Sequence, residues 1–174
     1  MPLGKAIGMS LLAHLEVVSE TSTTCVTAKH VARTGYAELF LKIMSPQPDW
    51  TVLDMGCGAG TLALPLSDKV KSVTAVDFSE KMLSILRDQC LEKNVHNIEM
   101  IQARWEDDWQ DAGIGLYDVA IASRSLVVDD LQAMIMKLNY AARKRVFIVT
   151  IVGDGPHDRR AYEAAGRELQ VGPD

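Results

Sequence analysis

The chain has 174 residues, of which 48% are hydrophobic and 24% charged, a globular balance at a length suited to about one domain, which excludes disorder and fibrous repeats. With 18 Lys plus Arg against 23 Asp plus Glu, the formal net charge is −5, so no overall basic footprint points to a nucleic-acid backbone. Cys25, Cys57 and Cys90 lie far apart without a C-x-x-C pair, the pattern of reduced thiols in a cytoplasmic protein rather than of a disulfide framework or a metal knuckle.

At the start of the chain, residues 6–15 are apolar but interrupted by Gly8, Ser10 and His14, too broken for an export signal and too short for a membrane span of roughly 18 residues. Leu11, Leu12, Leu15 and Val18 recur at helical spacing and predict a helix over 9–18. A polar loop over 19–24 and a short strand near 25–27 follow. Tyr36, Leu39, Phe40, Ile43 and Met44 form a second helical stripe, ended by Pro46 and Pro48. Residues 1–48 thus form an N-terminal helical segment.

From residue 49 the pattern changes to strand and helix in alternation. Strands are predicted at 51–55, 70–76, 97–102, 118–122 and 146–152, and helices at 61–67, 78–94, 127–142 and 158–169, with Ser79 as the N-cap of the second. Such alternation predicts a doubly wound, mainly parallel sheet with helices on both faces, a three-layer α/β/α architecture.

The stretch 52–61, VLDMGCGAGT, carries Gly56, Gly58 and Gly60 between a strand and a helix. Missing side chains there permit close approach to the backbone, and the following helix start favours a negative group. Thr61 stands where a dinucleotide fingerprint wants Gly or Ala. Asp54 would repel a pyrophosphate at this turn but could hold an ammonium, so the favoured ligand is zwitterionic. Asp77 ends the next strand, where a carboxylate can accept both hydroxyls of a ribose.

VLDMGCGAG followed by VTAVDFSEKML resembles the class I S-adenosylmethionine-dependent methyltransferases, and the resemblance runs through YDVAIASRSL and RVFIVTIV, roughly 34–152. It implies a Rossmann-like fold, S-adenosylmethionine as cofactor and methyl transfer by in-line attack on the sulfonium methyl. Residue by residue, it places Asp54, Gly56, Cys57, Gly58 and Gly60 at the methionine end, Asp77 on the ribose, and Phe78, Arg104 and Trp105 at the adenine. Many members have Asp where Arg104 stands, which leaves the Trp105 backbone N–H or its ring as substitutes in adenine recognition. Ser123 would face the transferring methyl.

No catalytic base is singled out from Glu106, Asp107, Asp108, Asp129, Asp130 and His157, and no metal ligands are assigned. In place of the Asn- or Asp-Pro-Pro-aromatic signature of base or glutamine methylation, residues 122–125 read ASRS; Arg124 could bind an acceptor carboxylate or phosphate, although a salt-bridged surface role is its simpler reading. A small-molecule acceptor is favoured, with a protein as the second choice, and neither nucleic acid nor membrane is expected as a partner. The family's closing strand hairpin has no room after residue 152. The chain is then truncated, naturally short, or completed at that edge by its N-terminal segment or by a second subunit, a homodimer through an uncovered sheet edge. Two competing readings are a catalytically inactive cofactor-binding or partner subunit and an NAD-dependent oxidoreductase.

Overall fold

The structure is a computed structural model that describes residues 14–19 and 35–150, residue 127 excepted. Six strands, β1 (His14–Ser19), β2 (Thr51–Met55), β3 (Ser72–Asp77), β4 (Ile98–Gln102), β5 (Tyr117–Ser123) and β6 (Ala142–Thr150), form one sheet in the order β1-β6-β5-β2-β3-β4. Every pairing is parallel. The helices are α1 (Gly35–Met44), α2 (Ala63–Ser67), α3 (Glu80–Glu92) and α4 (Leu131–Tyr140).

Strand alternation divides the interior into two cores. Val52, Val73, Ala75, Val119, Ile121, Phe147 and Val149 face one side, where they meet Phe40, Met44, Leu66, Leu83 and Leu86 from α1, α2 and α3. Leu53, Met55, Val76, Ala120, Ala122, Val146 and Ile148 face the other, against Leu138 of α4 and the loop residues Trp105, Trp109 and Ile114. Both faces of the sheet are therefore covered, as a parallel sheet requires. Each large side chain buried in this way contributes about 1.5–3 kcal/mol. Phe40 meets Phe147 edge to face at 5.8 Å, fixing α1 to the sheet.

Helix starts follow their local chemistry. The Ser79 hydroxyl accepts the Met82 N–H at 3.4 Å and the Asp130 carboxylate accepts the Ala133 N–H at 2.9 Å, so both are N-caps. Asp130 has a structural task, and the helix predicted from 127 begins at Leu131.

The N-terminal expectation is corrected for residues 14–19. They form a strand rather than part of a helix, pairing in register from His14↔Arg145 to Ser19↔Thr150. The leucine spacing fits a helix, but β-branched Val17 and Val18 suit a pleat, and the open side of β6 supplies a ladder that an isolated helix lacks. The outer side of β6 is thus paired by residues 14–19, one of the expected ways of completing that edge. The expected strand near 25–27, the helix over 158–169, His157 and Cys25 lie outside the described residues. No helix among the described residues is long and apolar enough to cross a membrane.

Candidate functional site

Strand order reverses between β2 and β5: the chain runs outward through β3 and β4, then returns to the other side of β2. A crevice opens at the carboxyl ends of strands at such a switch point. Residues 56–60 follow β2 on one side of it and residues 124–125 follow β5 on the other.

Gly56 closes this crevice at its base. Its φ is +77°, and a Cβ there would lie 2.1 Å from the Ser125 Cβ. Ser125 in turn donates its hydroxyl to the Met55 carbonyl at 2.7 Å. Only glycine permits this approach. Gly58, with φ +55°, differs: nothing lies within 4 Å of where a Cβ would stand, so its backbone faces open space. Gly60 lines neither of the two cavities described below; a Cβ there would lie 2.4 Å from Leu86 Cδ1, and its bare backbone serves the packing of α3.

Two cavities flank the turn. The smaller, about 180 Å³, is lined by Tyr36, Asp54, Gly56, Cys57, Gly58, Thr61, Leu62, Ser123 and Arg124. The larger, about 520 Å³, is lined by Met55, Gly56, Asp77, Phe78, Ala103, Arg104, Trp105, Glu106, Arg124 and Ser125. Gly56 and Arg124 belong to both. The structure thus brings nine of the ten expected site residues to one crevice, with Gly60 behind it.

Asp54 is 2% exposed, and its Oδ2 has no hydrogen-bond partner. Burial, reinforced by the charge of Asp77 and opposed by a backbone hydrogen bond from Ala63, pushes its pKa up to about 7. A buried carboxylate oxygen without a partner is costly. Asp54 lines the smaller cavity, so this oxygen is an unsatisfied acceptor beside the glycine turn. Cys57 shares this environment: burial first, then Asp54 and Asp77, push its thiol well above the usual range, so it is a packed thiol rather than a thiolate nucleophile.

Asp77 is held from two directions. Its Oδ2 accepts the Gly58 N–H at 2.8 Å and its Oδ1 the Ser79 N–H at 2.9 Å. A carboxylate has about four acceptor positions, so both oxygens can take a further donor from the larger cavity.

Phe78 is 65% exposed at the rim of that cavity, which places its ring outside the core. Trp105 is the reverse: it is buried, packs on Trp109 at 5.6 Å and donates its indole N–H to the Ser125 carbonyl at 3.0 Å. Its ring nitrogen is committed to the fold, while Trp105 lines the larger cavity. Arg104 is exposed, and its backbone N–H goes to Asp107 Oδ2 at 2.8 Å. Asp108 Oδ1 accepts from Gln110 and Asp111 N–H groups. The acidic run 106–108 therefore shapes a loop, although Glu106 also reaches the larger cavity.

Tyr36 and Ser125 line the crevice without being singled out as site residues in the sequence, and Arg124, read there either as a ligand for an acceptor anion or as a salt-bridged surface residue, lines both cavities. Tyr36 comes from α1, its hydroxyl 2.5 Å from Ser123 Oγ. Arg124 has φ +57° and stacks its guanidinium over the Tyr36 ring at 4.3 Å. The one signal in the sequence was position, since residues directly after the strand at the switch point must face the glycine turn.

Comparison with known proteins agrees with this geometry. Residues 52–145, more than half of the chain, match a family model described as a methyltransferase domain. A protein of uncharacterised function from Haemophilus influenzae is 40% identical over 134 residues, covering 77% of this chain and 49% of that protein. A 23S rRNA uracil C5-methyltransferase from Pseudomonas fluorescens is 35% identical over 78 residues, 42% of this chain and 17% of its own. Among solved structures, magnesium protoporphyrin IX methyltransferase from Synechocystis with bound S-adenosylmethionine aligns with a TM-score of 0.53 and 25% identity over 63% of this chain and 53% of that one. The chain spans about half the length of the Haemophilus relative.

Proposed function

The chain belongs to the methyltransferase-domain family, and from that premise we propose that it binds S-adenosylmethionine in the crevice between β2 and β5 and transfers its methyl group to a small-molecule acceptor. The observation that carries this reading is the partnerless Oδ2 of Asp54 in the wall of the smaller cavity. An ammonium group satisfies that oxygen, while a pyrophosphate at the same place would be repelled, which disfavours the NAD-dependent alternative.

The residues present fit the cofactor along its length. Asp54 and the open backbone at Gly58 suit its amino acid end, Asp77 has acceptor positions left for ribose hydroxyls, and Phe78 and Ala103 offer apolar surface to a purine. When bound, this cofactor supplies a methyl group already activated by a sulfonium, so the protein chiefly aligns the acceptor and excludes water. Alignment of that kind can supply about 7 to 11 kcal/mol of the barrier. Ser123 and Tyr36, hydroxyl to hydroxyl beside the glycine turn, are placed to position an acceptor rather than to deprotonate it.

Residues 49–174 form the cofactor-binding unit in this reading, with β1 and α1 built into its sheet and core. A cytoplasmic setting is supported by the free, buried thiols of Cys57 and Cys90. An rRNA methyltransferase stands among the relatives, so a nucleic-acid acceptor stays open in spite of the net charge.

Asp77→Asn tests the cofactor assignment: it keeps the size of the side chain and one carbonyl acceptor, while its amide nitrogen gives up one of the hydrogen bonds from the Gly58 and Ser79 N–H groups, so circular dichroism first establishes that the variant is folded. Affinity for S-adenosylhomocysteine is expected to fall by about 1.5–3 kcal/mol, the worth of hydrogen bonds to a charged group. Unchanged affinity in a folded variant would rule the ribose role out. Methyl transfer from labelled cofactor into a metabolite extract tests the activity; tight binding without any transfer would favour the partner-subunit alternative.

A further inference from the structure

Glycines at 56, 58 and 60 give the turn after β2 its close approaches, and with them a wide choice of backbone conformations. Contacts from outside the turn must select one. Asp77, just ahead of α3, accepts the Gly58 N–H at 2.8 Å, and Leu86 of α3 packs so closely on Gly60 that a Cβ there would lie 2.4 Å from its Cδ1. A further tether comes from Gln89, toward the end of the same helix, whose Nε2 donates to the Ala59 carbonyl at 2.9 Å.

The Ala59 carbonyl and the Gly60 N–H belong to one rigid peptide plane. Gln89 holds the carbonyl side of that plane, and the Cys57 carbonyl accepts the N–H at 3.0 Å on the other. With this plane fixed, and Gly58 tied to Asp77, the backbone bordering the smaller cavity is held in one orientation. Gln89 itself lines neither cavity. It can act on a ligand only through the turn, and residues 57–61 give Cys57, Gly58 and Thr61 to the smaller cavity but none to the larger.

We propose that Gln89 is a positioning residue for the cofactor: by holding the peptide between Ala59 and Gly60 it shapes the glycine turn around the amino acid end of S-adenosylmethionine without touching it. This rests on the cofactor reading given above. Removing the donor should therefore weaken ligands that carry the amino acid part and spare those that lack it.

The full chain is titrated calorimetrically with S-adenosylhomocysteine and with 5′-methylthioadenosine, which lacks the amino acid part, as the native protein, as Gln89→Glu and as Gln89→Met. Glutamate keeps the shape of the side chain but puts an acceptor where the donor stood, and methionine removes the donor without adding a charge. Circular dichroism establishes that each variant is folded. The expected result is a loss of about tenfold in affinity for S-adenosylhomocysteine in both variants, the size of one lost hydrogen bond, with affinity for 5′-methylthioadenosine unchanged within about twofold. Equal losses for the two ligands would make Gln89 a general support of the fold, and undiminished S-adenosylhomocysteine binding would show the tether idle; either overturns the proposal. Amide hydrogen exchange at Gly60 in the unliganded chain gives a second reading, faster in the variants where Gln89 holds that peptide and unchanged where it does not. Failure of the native chain to bind either nucleoside would refute the cofactor reading instead, and exchange at Gly60 would still decide the tether.

Discussion

Asp54 shows how one buried carboxyl can couple ligand binding to pH. Its folded pKa, about 7, lies above the unfolded value near 4, so the folded state holds the proton more tightly. Between about pH 4 and pH 7 the native protein binds a proton that the unfolded chain has released, and stability falls as pH rises through that window. The loss is on the order of 4 kcal/mol by the usual conversion of pKa shifts. Chemical denaturation across this range should show the decline in the native chain, and the difference between native and Asp54→Asn should grow toward pH 7; parallel curves would contradict the assignment. An ammonium group against Oδ2 favours the ionised form, so binding of S-adenosylhomocysteine near pH 6.5 should release a proton, visible as a dependence of calorimetric heat on buffer ionisation enthalpy. At this scale the sequence was informative about Asp54 and Asp77, because a carboxylate at the end of an apolar strand is an exception that needs a reason. It was silent about Tyr36, whose aromatic ring fits a helical stripe as well as it fits a wall of the crevice.

Turns and helices set which substitutions damage the fold and which damage the ligand site. Gly56→Ala would put a Cβ within 2.1 Å of the Ser125 Cβ and force the two sides of the crevice apart, a destabilisation of about 1–3 kcal/mol for such overpacking. Gly58→Ala meets no neighbour and carries only the backbone cost of about 1–2 kcal/mol, yet its methyl enters the smaller cavity. Thermal unfolding should therefore fall further for Gly56→Ala, while Gly58→Ala should lose ligand affinity in a folded protein; the reverse order would refute the two roles. On the opposite wall, Lys137 of α4 donates to the Trp105 carbonyl at 2.7 Å and the Asp107 carbonyl at 2.5 Å, with Nζ 4.7 Å from the centre of the Trp109 ring. Burial lowers its pKa in spite of the nearby carboxylates of Asp108, Asp107 and Glu106. Lys137→Met should free the loop that walls the larger cavity, with faster hydrogen exchange at 103–109 and a loss of about 1.5–3 kcal/mol in stability; unchanged exchange there would show that the brace is idle. Neither that contact nor the Ser125 seal is legible in sequence, since each joins residues distant along the chain through a carbonyl that any residue type provides.

At the scale of the molecule, the alternation of short apolar strands and amphipathic helices after residue 49 was enough to anticipate the parallel sheet and its two covered faces, because buried strands read as continuous Val, Leu, Ile and Ala runs. The N-terminal strand was hidden by leucines at helical spacing, and what decides its conformation is the open side of β6, a partner more than a hundred residues away. Val17→Pro, which removes one N–H from residues 14–19 and resists ladder pairing, should lower the thermal midpoint of the whole chain; an unchanged midpoint would mean that β1 adds nothing to the sheet. The larger claim is that this sheet presents a cofactor crevice for an amino acid joined to a nucleoside. Calorimetric titration of the full chain with S-adenosylhomocysteine and, separately, with NAD tests it most directly: the account predicts saturable binding of S-adenosylhomocysteine that weakens in Asp77→Asn and no saturable heat with NAD, whereas NAD binding without S-adenosylhomocysteine binding would contradict it.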